Sequence, residues 1–216
     1  MEFIEIDGIA CAVSKAPNAE CLLIQPCDAQ EFAALPAELE MLRADAQPFD
    51  FAAFAVENWN RDLSPWQAPP VFGKDAFDGR GEETRIWLES SLLSQFRSRR
   101  VILGGYSLAG LFSLWCATRS SAYDAIAAAS PSVWFPGWID YAEQMRFLAR
   151  RVYLSLGDRE HRSKNPQLRT VRDAIERLNL LLGRQSVNHT LEWNEGTHFS
   201  DPVGRTVKAF RWAMQM

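Results

Sequence analysis

The chain has 216 residues, of which 47% are hydrophobic and 23% are charged, a composition that suits one globular domain with a substantial core. With 23 Lys and Arg against 27 Asp and Glu, the formal net charge is -4. This mildly acidic balance lacks the electrostatic footprint of a protein that binds nucleic acid or an anionic membrane.

Charge and cysteine usage also bear on location. The densest basic cluster, Arg97, Arg99 and Arg100, falls at the end of a predicted helix, and we interpret it as a solvated helix end. The four cysteines lack the spacing of a metal site and are expected to be reduced, buried thiols. The N-terminus does not resemble a signal peptide, and no apolar run approaches the roughly 18–20 residues that span a bilayer. We therefore expect a cytoplasmic protein.

Strand-like apolar runs alternate with helical patterns along the chain, which predicts a mostly parallel sheet with helices on both faces. In the first third, Phe3–Ser14 and Cys21–Pro26 are predicted to be two strands that form an antiparallel hairpin. A helix over Ala29–Ala46, weakened by Pro36, and a buried strand over Phe49–Val56 are predicted to follow.

A long connection, Glu57–Gly81, comes next, and a connection of this length inside a compact domain is usually functional. Strands and helices then alternate to the end of the chain. The predicted strands are Arg100–Tyr106, Tyr123–Ser130, Val152–Leu156 and Val187–Trp193. The predicted helices are Glu82–Arg97, Leu108–Arg119, Trp138–Leu148, Pro166–Leu182 and Asp201–Met216. Because ligands bind such sheets at the carboxyl ends of the strands, functional residues are expected in the loops that follow them.

The stretch 100–115 (RVILGGYSLAGLFSLW) carries the clearest functional signal. An apolar strand runs into two glycines, Ser107 follows, and an apolar helix begins at once. A sharp turn that exposes a serine needs small residues two positions before and after it, because the strand and helix backbones crowd there. Gly105 and Ala109 meet this need, although glycine is usual at the second position. A serine at a helix start can also be a simple cap, but the whole pattern favours a nucleophile.

A serine hydroxyl needs a neighbouring base, and the chain has three histidines. His189 lies among apolar residues of a predicted strand and is interpreted as a packed side chain, and His161 as a surface or accessory residue. His198 follows the last strand and precedes the last helix. The chain order serine, acid, histidine would place the base there, so His198 is the predicted base.

The acid that orients this histidine should follow the strand Val152–Leu156. The loop there reads GDRE and contains two carboxylates, Asp158 and Glu160. A position three residues after the strand-ending glycine favours Glu160, and Asp158 stays the alternative. The carboxylate that is not used is expected to be a structural partner of the turn.

The oxyanion of a tetrahedral intermediate needs backbone N–H donors. Leu108, just after the nucleophile, is the first candidate. Asn58 and Trp59, at the start of the long connection, are the candidates for the second donor. The alternative is that this segment only folds over the site as an ordered loop.

Three tryptophans on strand-end loops, Trp59, Trp66 and Trp134, suggest a shallow apolar wall for an acyl or aryl group. Ordinary packing between loops is the alternative for each of them. Tyr106, beside the nucleophile, is counted with Trp66 and Trp134 as a candidate substrate-binding residue.

Four short motifs together resemble the esterase branch of the α/β-hydrolases, which includes esterase D-like, feruloyl-esterase-like and enterochelin-esterase-like proteins. They are GYSLAG at 105–110, SPSVW at 130–134, GDRE at 157–160 and GTHF at 196–199. The resemblance covers roughly Phe49 to the C-terminus, and it departs from the family pattern at Ala109 and in the doubled carboxylate.

The resemblance implies an α/β-hydrolase fold and hydrolysis of carboxylic esters through an acyl-enzyme, without a metal or organic cofactor. It supports Ser107, His198 and an acid in the 158–160 loop as the catalytic residues. Because the chain is too short to add a large lid domain, soluble small-molecule esters are the expected substrates. An acyltransferase or thioesterase with the same residues is the first alternative, and a non-catalytic binding protein the second. Nothing in the sequence indicates the oligomeric state.

Overall fold

An eight-stranded mixed sheet organises the computed structural model, which describes residues 1–44, 46–97 and 100–215. Arg99, one of the three residues in the predicted basic cluster, lies outside these residues. The strands are β1 (Glu2–Ile6), β2 (Ile9–Ser14), β3 (Cys21–Cys27), β4 (Asp50–Ala55), β5 (Arg100–Tyr106), β6 (Ala125–Ala129), β7 (Arg151–Gly157) and β8 (Asn188–Asn194). Their order in the sheet is β1-β2-β4-β3-β5-β6-β7-β8.

The N-terminal hairpin forms within the first predicted strand. Asp7 and Gly8 both have positive φ, 51° and 82°, and form the two-residue turn between β1 and β2. β2 then pairs antiparallel with β4, whereas β3 lies parallel between β4 and β5. The predicted pairing of Phe3–Ser14 with Cys21–Pro26 was therefore wrong. The Asp-Gly pair was the overlooked signal, because it is a preferred turn sequence of tight hairpins.

Helices cover both faces of the sheet. They are α1 (Ala29–Arg43), α2 (Gly81–Trp87), α3 (Leu108–Arg119), α4 (Trp138–Gln144), α5 (Val171–Arg184) and α6 (Pro202–Met214), with short helical turns at Trp59–Asp62 and Pro166–Arg169. The predicted helix Glu82–Arg97 is only partly α-helical, because α2 continues as a π-helical turn over Leu88–Leu92 and a 3₁₀ turn over Leu93–Gln95. Within the described residues, no helix combines the length and apolarity needed to cross a membrane.

Alternating side chains of the strands divide the core into two layers. In β4, Ala52 and Phe54 pack in the layer covered by α2 to α5, whereas Phe51 and Ala53 pack in the layer covered by α1 and α6. Burial on both faces explains the nearly continuous apolar strands that the sequence shows. The mostly parallel sheet with helices on both faces is thus confirmed.

A buried carboxyl group on the inner face of α1 predicts that the free energy of unfolding depends on pH. The Glu38 side chain is 3% exposed and accepts a hydrogen bond from Gln25 Nε2 at 3.3 Å. Burial raises the pKa of Glu38 to about 7, and it raises the pKa of Glu31 on the same helix likewise to about 7. Since the folded-state pKa exceeds the unfolded one, the protonated carboxyl stabilises the fold. This contribution is complete below the unfolded pKa and is lost as pH rises through about 7.

We expect the free energy of unfolding to fall by about 2 kcal/mol between pH 5 and pH 8 because of Glu38. Glu38→Gln should therefore be relatively more stable at pH 8 and show a flatter pH dependence. Urea unfolding at several pH values measures this, with Glu40→Gln on the exposed side of α1 as the control. An unchanged slope in Glu38→Gln would show that Glu38 does not titrate in this range.

Candidate active site

Ser107 occupies a strained turn between β5 and α3. Its φ of 57° and ψ of -119° lie in a region that residues with a side chain rarely adopt. Two backbone hydrogen bonds hold the turn: Ser107 N–H donates to Ala129 O at 3.1 Å, and Ser132 N–H donates to Ser107 O at 3.0 Å. The chain therefore projects the Ser107 hydroxyl beyond the carboxyl end of β5.

Close packing explains the small residues around Ser107. Gly105 has a φ of 154°, and a Cβ built there would lie 2.6 Å from the Cβ of Ala109. Only glycine fits at position 105, and its missing side chain makes room for Ala109. The departure from the usual glycine at position 109 is thus accommodated within the turn.

The three predicted catalytic side chains lie in a continuous hydrogen-bonded row. The Oγ of Ser107 is 3.0 Å from Nε2 of His198, and Nδ1 of His198 is 2.8 Å from Oε2 of Glu160. His198 is 29% exposed at its side chain, whereas Glu160 is 4% exposed. Ser107 is likewise half-buried, so the nucleophile and the base are both partly exposed to solvent, whereas the carboxylate is shielded from it.

The two carboxylates of the GDRE loop have different positions. Glu160 contacts His198, and its Oε1 also accepts a hydrogen bond from Gly157 N at 2.7 Å. Asp158 instead accepts a hydrogen bond from Gly196 N–H at 2.8 Å and remains 53% exposed at its side chain. Asp158 therefore ties the loop after β7 to the loop that carries His198.

Tyr106 supports His198 rather than facing a substrate. Its ring is 8% exposed, and its hydroxyl donates a hydrogen bond to His198 O at 2.6 Å. Burial raises the pKa of Tyr106, so that the hydroxyl keeps its proton and can donate. The prediction of a substrate-binding role for Tyr106 is wrong, because the residue before the nucleophile still points into the core beneath the site.

Ser132 was missed by the sequence analysis. Its Oγ lies 3.2 Å from Ser107 Oγ, although the residue is only 1% exposed. The SPSVW motif places Ser132 after β6, at the same edge of the sheet as Ser107. A second hydroxyl thus lies within hydrogen-bonding distance of the nucleophile, in addition to His198.

The other two histidines lie outside this row. His189 is in β8, where its Nδ1 is 2.8 Å from Val187 O, in agreement with a packed role. His161 lies in the single helical turn Glu160–Arg162, directly after the carboxylate.

The three predicted oxyanion donors differ in the position and hydrogen bonding of their N–H groups. Leu108 begins α3, so its N–H points out of the helix start beside Ser107. The prediction that Asn58 is an oxyanion donor is wrong, because its N–H already donates to Asp62 Oδ2 at 3.1 Å. The Asn58 side chain accepts the Arg61 N–H and so caps the short helix. Trp59, the first residue of that helix, keeps its position as a candidate.

Two of the predicted wall residues are packing residues. Trp66 donates from Nε1 to Pro136 O at 3.0 Å, and its ring packs 5.2 Å from that of Tyr141. Trp134 is 8% exposed and lies 5.7 Å from the ring of Phe72. Phe72 itself is 52% exposed. The aromatic surface is therefore presented by Phe72, with Trp134 behind it.

Phe199 is the most exposed aromatic side chain at the site. It is 87% exposed, and its ring is nearly perpendicular to that of His198 at a centroid distance of 5.5 Å. We expect Phe199→Ala to lower kcat/KM for aryl esters by about 3–10-fold, because an aromatic contact contributes about 0.5–1.5 kcal/mol. Stability should not change.

Steady-state kinetics with matched aryl and short alkyl esters would test the role of Phe199. Phe3→Ala is the control, since Phe3 is 65% exposed on the edge strand β1. An equal effect of Phe199→Ala on both ester types would show that the ring does not contact the aryl group.

A cavity of about 330 Å³ lies at the amino ends of β3 and β5, between Cys21, Arg100 and Arg211, and none of the residues that line it belongs to the row described above. Within the described part of the chain, no group of three or more His, Cys, Asp or Glu side chains is arranged to hold a metal ion.

Solved structures share this architecture. An IroE-like serine hydrolase from Shewanella oneidensis superposes with a TM-score of 0.73 at 15% identity, covering 94% of this chain and 75% of that one. The present chain has the α/β-hydrolase fold. The siderophore hydrolase EstA from Aspergillus nidulans gives a TM-score of 0.69 at 19% identity, covering 94% of this chain and 89% of that one.

A Bacillus cereus carboxylesterase shares the α/β-hydrolase fold as well, with a TM-score of 0.63 at 16% identity over 96% of this chain and 94% of that one. No protein-family model matches the sequence, and no curated protein matches it. Because one fold hosts many activities, these similarities establish the fold, and the function is argued from the site.

Proposed function

We propose that the protein is a serine esterase that hydrolyses small-to-medium, soluble carboxylic esters. The observation that carries this proposal is the row Ser107–His198–Glu160, with contacts of 3.0 and 2.8 Å on a strained strand-to-helix turn. Nucleophile, base and orienting acid in such contact are the arrangement required to activate a serine. The solved structures with this fold include a serine hydrolase, a siderophore hydrolase and a carboxylesterase, which supports the same reaction class.

In the proposed acylation step, Ser107 Oγ attacks the ester carbonyl carbon while its proton passes to His198 Nε2. Glu160 holds the imidazole by Nδ1 and stabilises the imidazolium that forms. The tetrahedral intermediate then collapses, the bond to the alcohol oxygen breaks, and His198 gives its proton to the leaving alcohol. The products are the free alcohol and an ester between the acyl group and Ser107.

Deacylation repeats these steps with water. His198 Nε2 accepts a proton from water as the hydroxide oxygen adds to the acyl carbon, and the proton then returns to Ser107 Oγ as the carboxylic acid leaves. Leu108 N–H is the proposed first donor to the oxyanion in both steps, and Trp59 N–H the proposed second. The positive end of the α3 dipole lies at the same place.

Turnover of p-nitrophenyl acetate by the purified protein tests this proposal, followed by a panel of aryl, alkyl and siderophore esters. The siderophore ester is included because EstA is a siderophore hydrolase. We expect saturable hydrolysis of at least the activated ester. If the folded protein hydrolyses none of these esters, the esterase proposal fails.

The same residues would also serve an acyltransferase or a thioesterase. Product analysis with competing alcohols separates the first, because an acyltransferase forms a new ester where an esterase forms the free acid. Thioester substrates in the panel separate the second. The cytoplasmic location expected from the sequence stays a prediction that cell fractionation would test.

A further inference from the structure

A buried arginine contacts the proposed catalytic acid. Arg205 lies in α6, is 2% exposed, and places its Nη1 3.0 Å from Oε1 of Glu160. The same Nη1 donates to the hydroxyls of Ser130 at 3.0 Å and Tyr106 at 3.2 Å. Its Nη2 donates to Glu195 O at 3.0 Å. One guanidinium therefore contacts residues from the ends of β5 and β6 and from the loops after β7 and β8.

The position of this cation is costly for the fold. Arg205 is the fourth residue of α6, close to the positive end of the helix dipole, where an anion would be preferred. Burying the guanidinium also removes it from water, and a buried ion pair often only offsets this cost. Packing alone does not account for a buried charge at this position, whereas an effect of the ion pair on Glu160 does.

The contacts divide the two oxygens of Glu160 between two partners. Oε1 binds Arg205 and Gly157 N–H, whereas Oε2 binds His198 Nδ1. With Oε1 held on one side, the carboxylate cannot rotate without losing both of these bonds. The side chain of Glu160 is thereby fixed with Oε2 directed at the imidazole.

Arg205 also reaches His198 by a second route. The Tyr106 hydroxyl accepts a hydrogen bond from Arg205 and donates its own proton to His198 O. Hence the guanidinium helps to hold both the backbone of His198 and the carboxylate that orients its ring. Arg205 lies 45 positions along the chain from Glu160, so no local pattern in the sequence indicates this contact.

We propose that Arg205 is a positioning residue for the esterase reaction: it holds the Glu160 carboxylate in one orientation, so that His198 presents Nε2 to Ser107. This inference rests on the proposed serine-esterase function. Arg205 does not touch the reacting atoms and acts through Glu160. Its removal should lower kcat, because the imidazolium formed during the reaction loses an ordered counterion, and should leave KM unchanged.

Arg205→Met is the primary test variant, since it keeps an unbranched apolar side chain in place of the arginine stem and removes the charge. We expect kcat to fall by about 10–100-fold with KM within about twofold, by analogy with the loss seen when the outer hydrogen-bond partner of a metal-ligating side chain is removed. Arg151→Met is the matched control, because the half-buried Arg151 lies at the amino end of β7 and contacts Trp212 instead. Its kcat should equal that of the wild type.

The same substitution in a Glu160→Gln background separates positioning from general damage. If Arg205 acts through the carboxylate, Arg205→Met should change kcat by less than about threefold once that carboxylate is gone, because the two effects are not additive. An equal loss of kcat in both backgrounds would overturn the proposal. Arg205→Lys should restore part of kcat, since an ammonium replaces the charge but not the full set of hydrogen bonds.

A proton NMR signal provides a readout that needs no turnover. The His198 Nδ1–H proton should resonate at low field when it is bonded to Glu160, and its loss in Glu160→Gln assigns it. We expect the signal in wild type and Arg151→Met, and a shifted or broadened signal in folded Arg205→Met. A wild-type signal in Arg205→Met would refute the positioning role even if the protein hydrolysed no ester. Failure of the esterase proposal itself would show as an inactive wild type.

Discussion

Replacing Ser107 by alanine is expected to lower kcat for p-nitrophenyl acetate by about 10⁵–10⁶-fold, the range seen when a serine nucleophile of this kind is removed. The change deletes only the Oγ atom, which contacts His198 and Ser132 at 3.0 and 3.2 Å. Because the backbone of the turn is held by its own hydrogen bonds to Ala129 and Ser132, the fold should remain intact.

Ser121→Ala is the control for this experiment, since Ser121 is an exposed serine just beyond α3. Kinetics and thermal unfolding are measured on both variants. If Ser107→Ala keeps more than about a tenth of wild-type kcat, the hydrolysis does not pass through an acyl-Ser107 intermediate.

The second large loss of kcat is expected when Glu160 is substituted. Substitution of Asp158 in the same loop should have little effect on kcat. Glu160→Gln should lower kcat by about 10³–10⁴-fold, because an amide neither fixes the imidazole tautomer nor stabilises the imidazolium. It should also lower the free energy of unfolding by about 3–5 kcal/mol, since the buried guanidinium of Arg205 loses its anion. Asp158→Asn should leave kcat within about threefold, because an asparagine oxygen can still accept the Gly196 N–H.

The pair Glu160→Gln and Asp158→Asn is therefore a direct comparison of the two carboxylates. Single-turnover kinetics on the folded fraction, together with urea unfolding, separates catalysis from stability. A large loss of kcat in Asp158→Asn with near-normal kcat in Glu160→Gln would reverse the assignment of the acid.

The sequence was informative where local chemistry determines structure. The turn at Ser107 could be predicted because crowding at a strand-to-helix junction requires small neighbours, here Gly105 and Ala109. The parallel strands β4 to β7 were recognisable because burial on both faces makes them mostly apolar. The hairpin was mispaired because the local turn signal of Asp7 and Gly8 was overlooked. The place of β3 between β4 and β5 depends on contacts across the whole sheet, which a run of apolar residues does not encode.

What the sequence could not provide were contacts between distant segments. The GDRE loop contains two carboxylates, and only the three-dimensional arrangement places Glu160 beside His198 and Asp158 beside Gly196. Arg205 would have been counted as an ordinary surface arginine, because charged residues in helices are usually exposed. Phe199 follows the histidine in sequence, but its exposure depends on how the loop is held.

Labelling the purified protein with a fluorophosphonate, followed by peptide mass spectrometry to locate the adduct, shows whether Ser107 is the activated nucleophile. We expect one adduct per chain, on Ser107, which forms much more slowly in His198→Ala. A folded protein that takes up no label, or takes it up on another serine at a rate that does not depend on His198, would contradict this expectation.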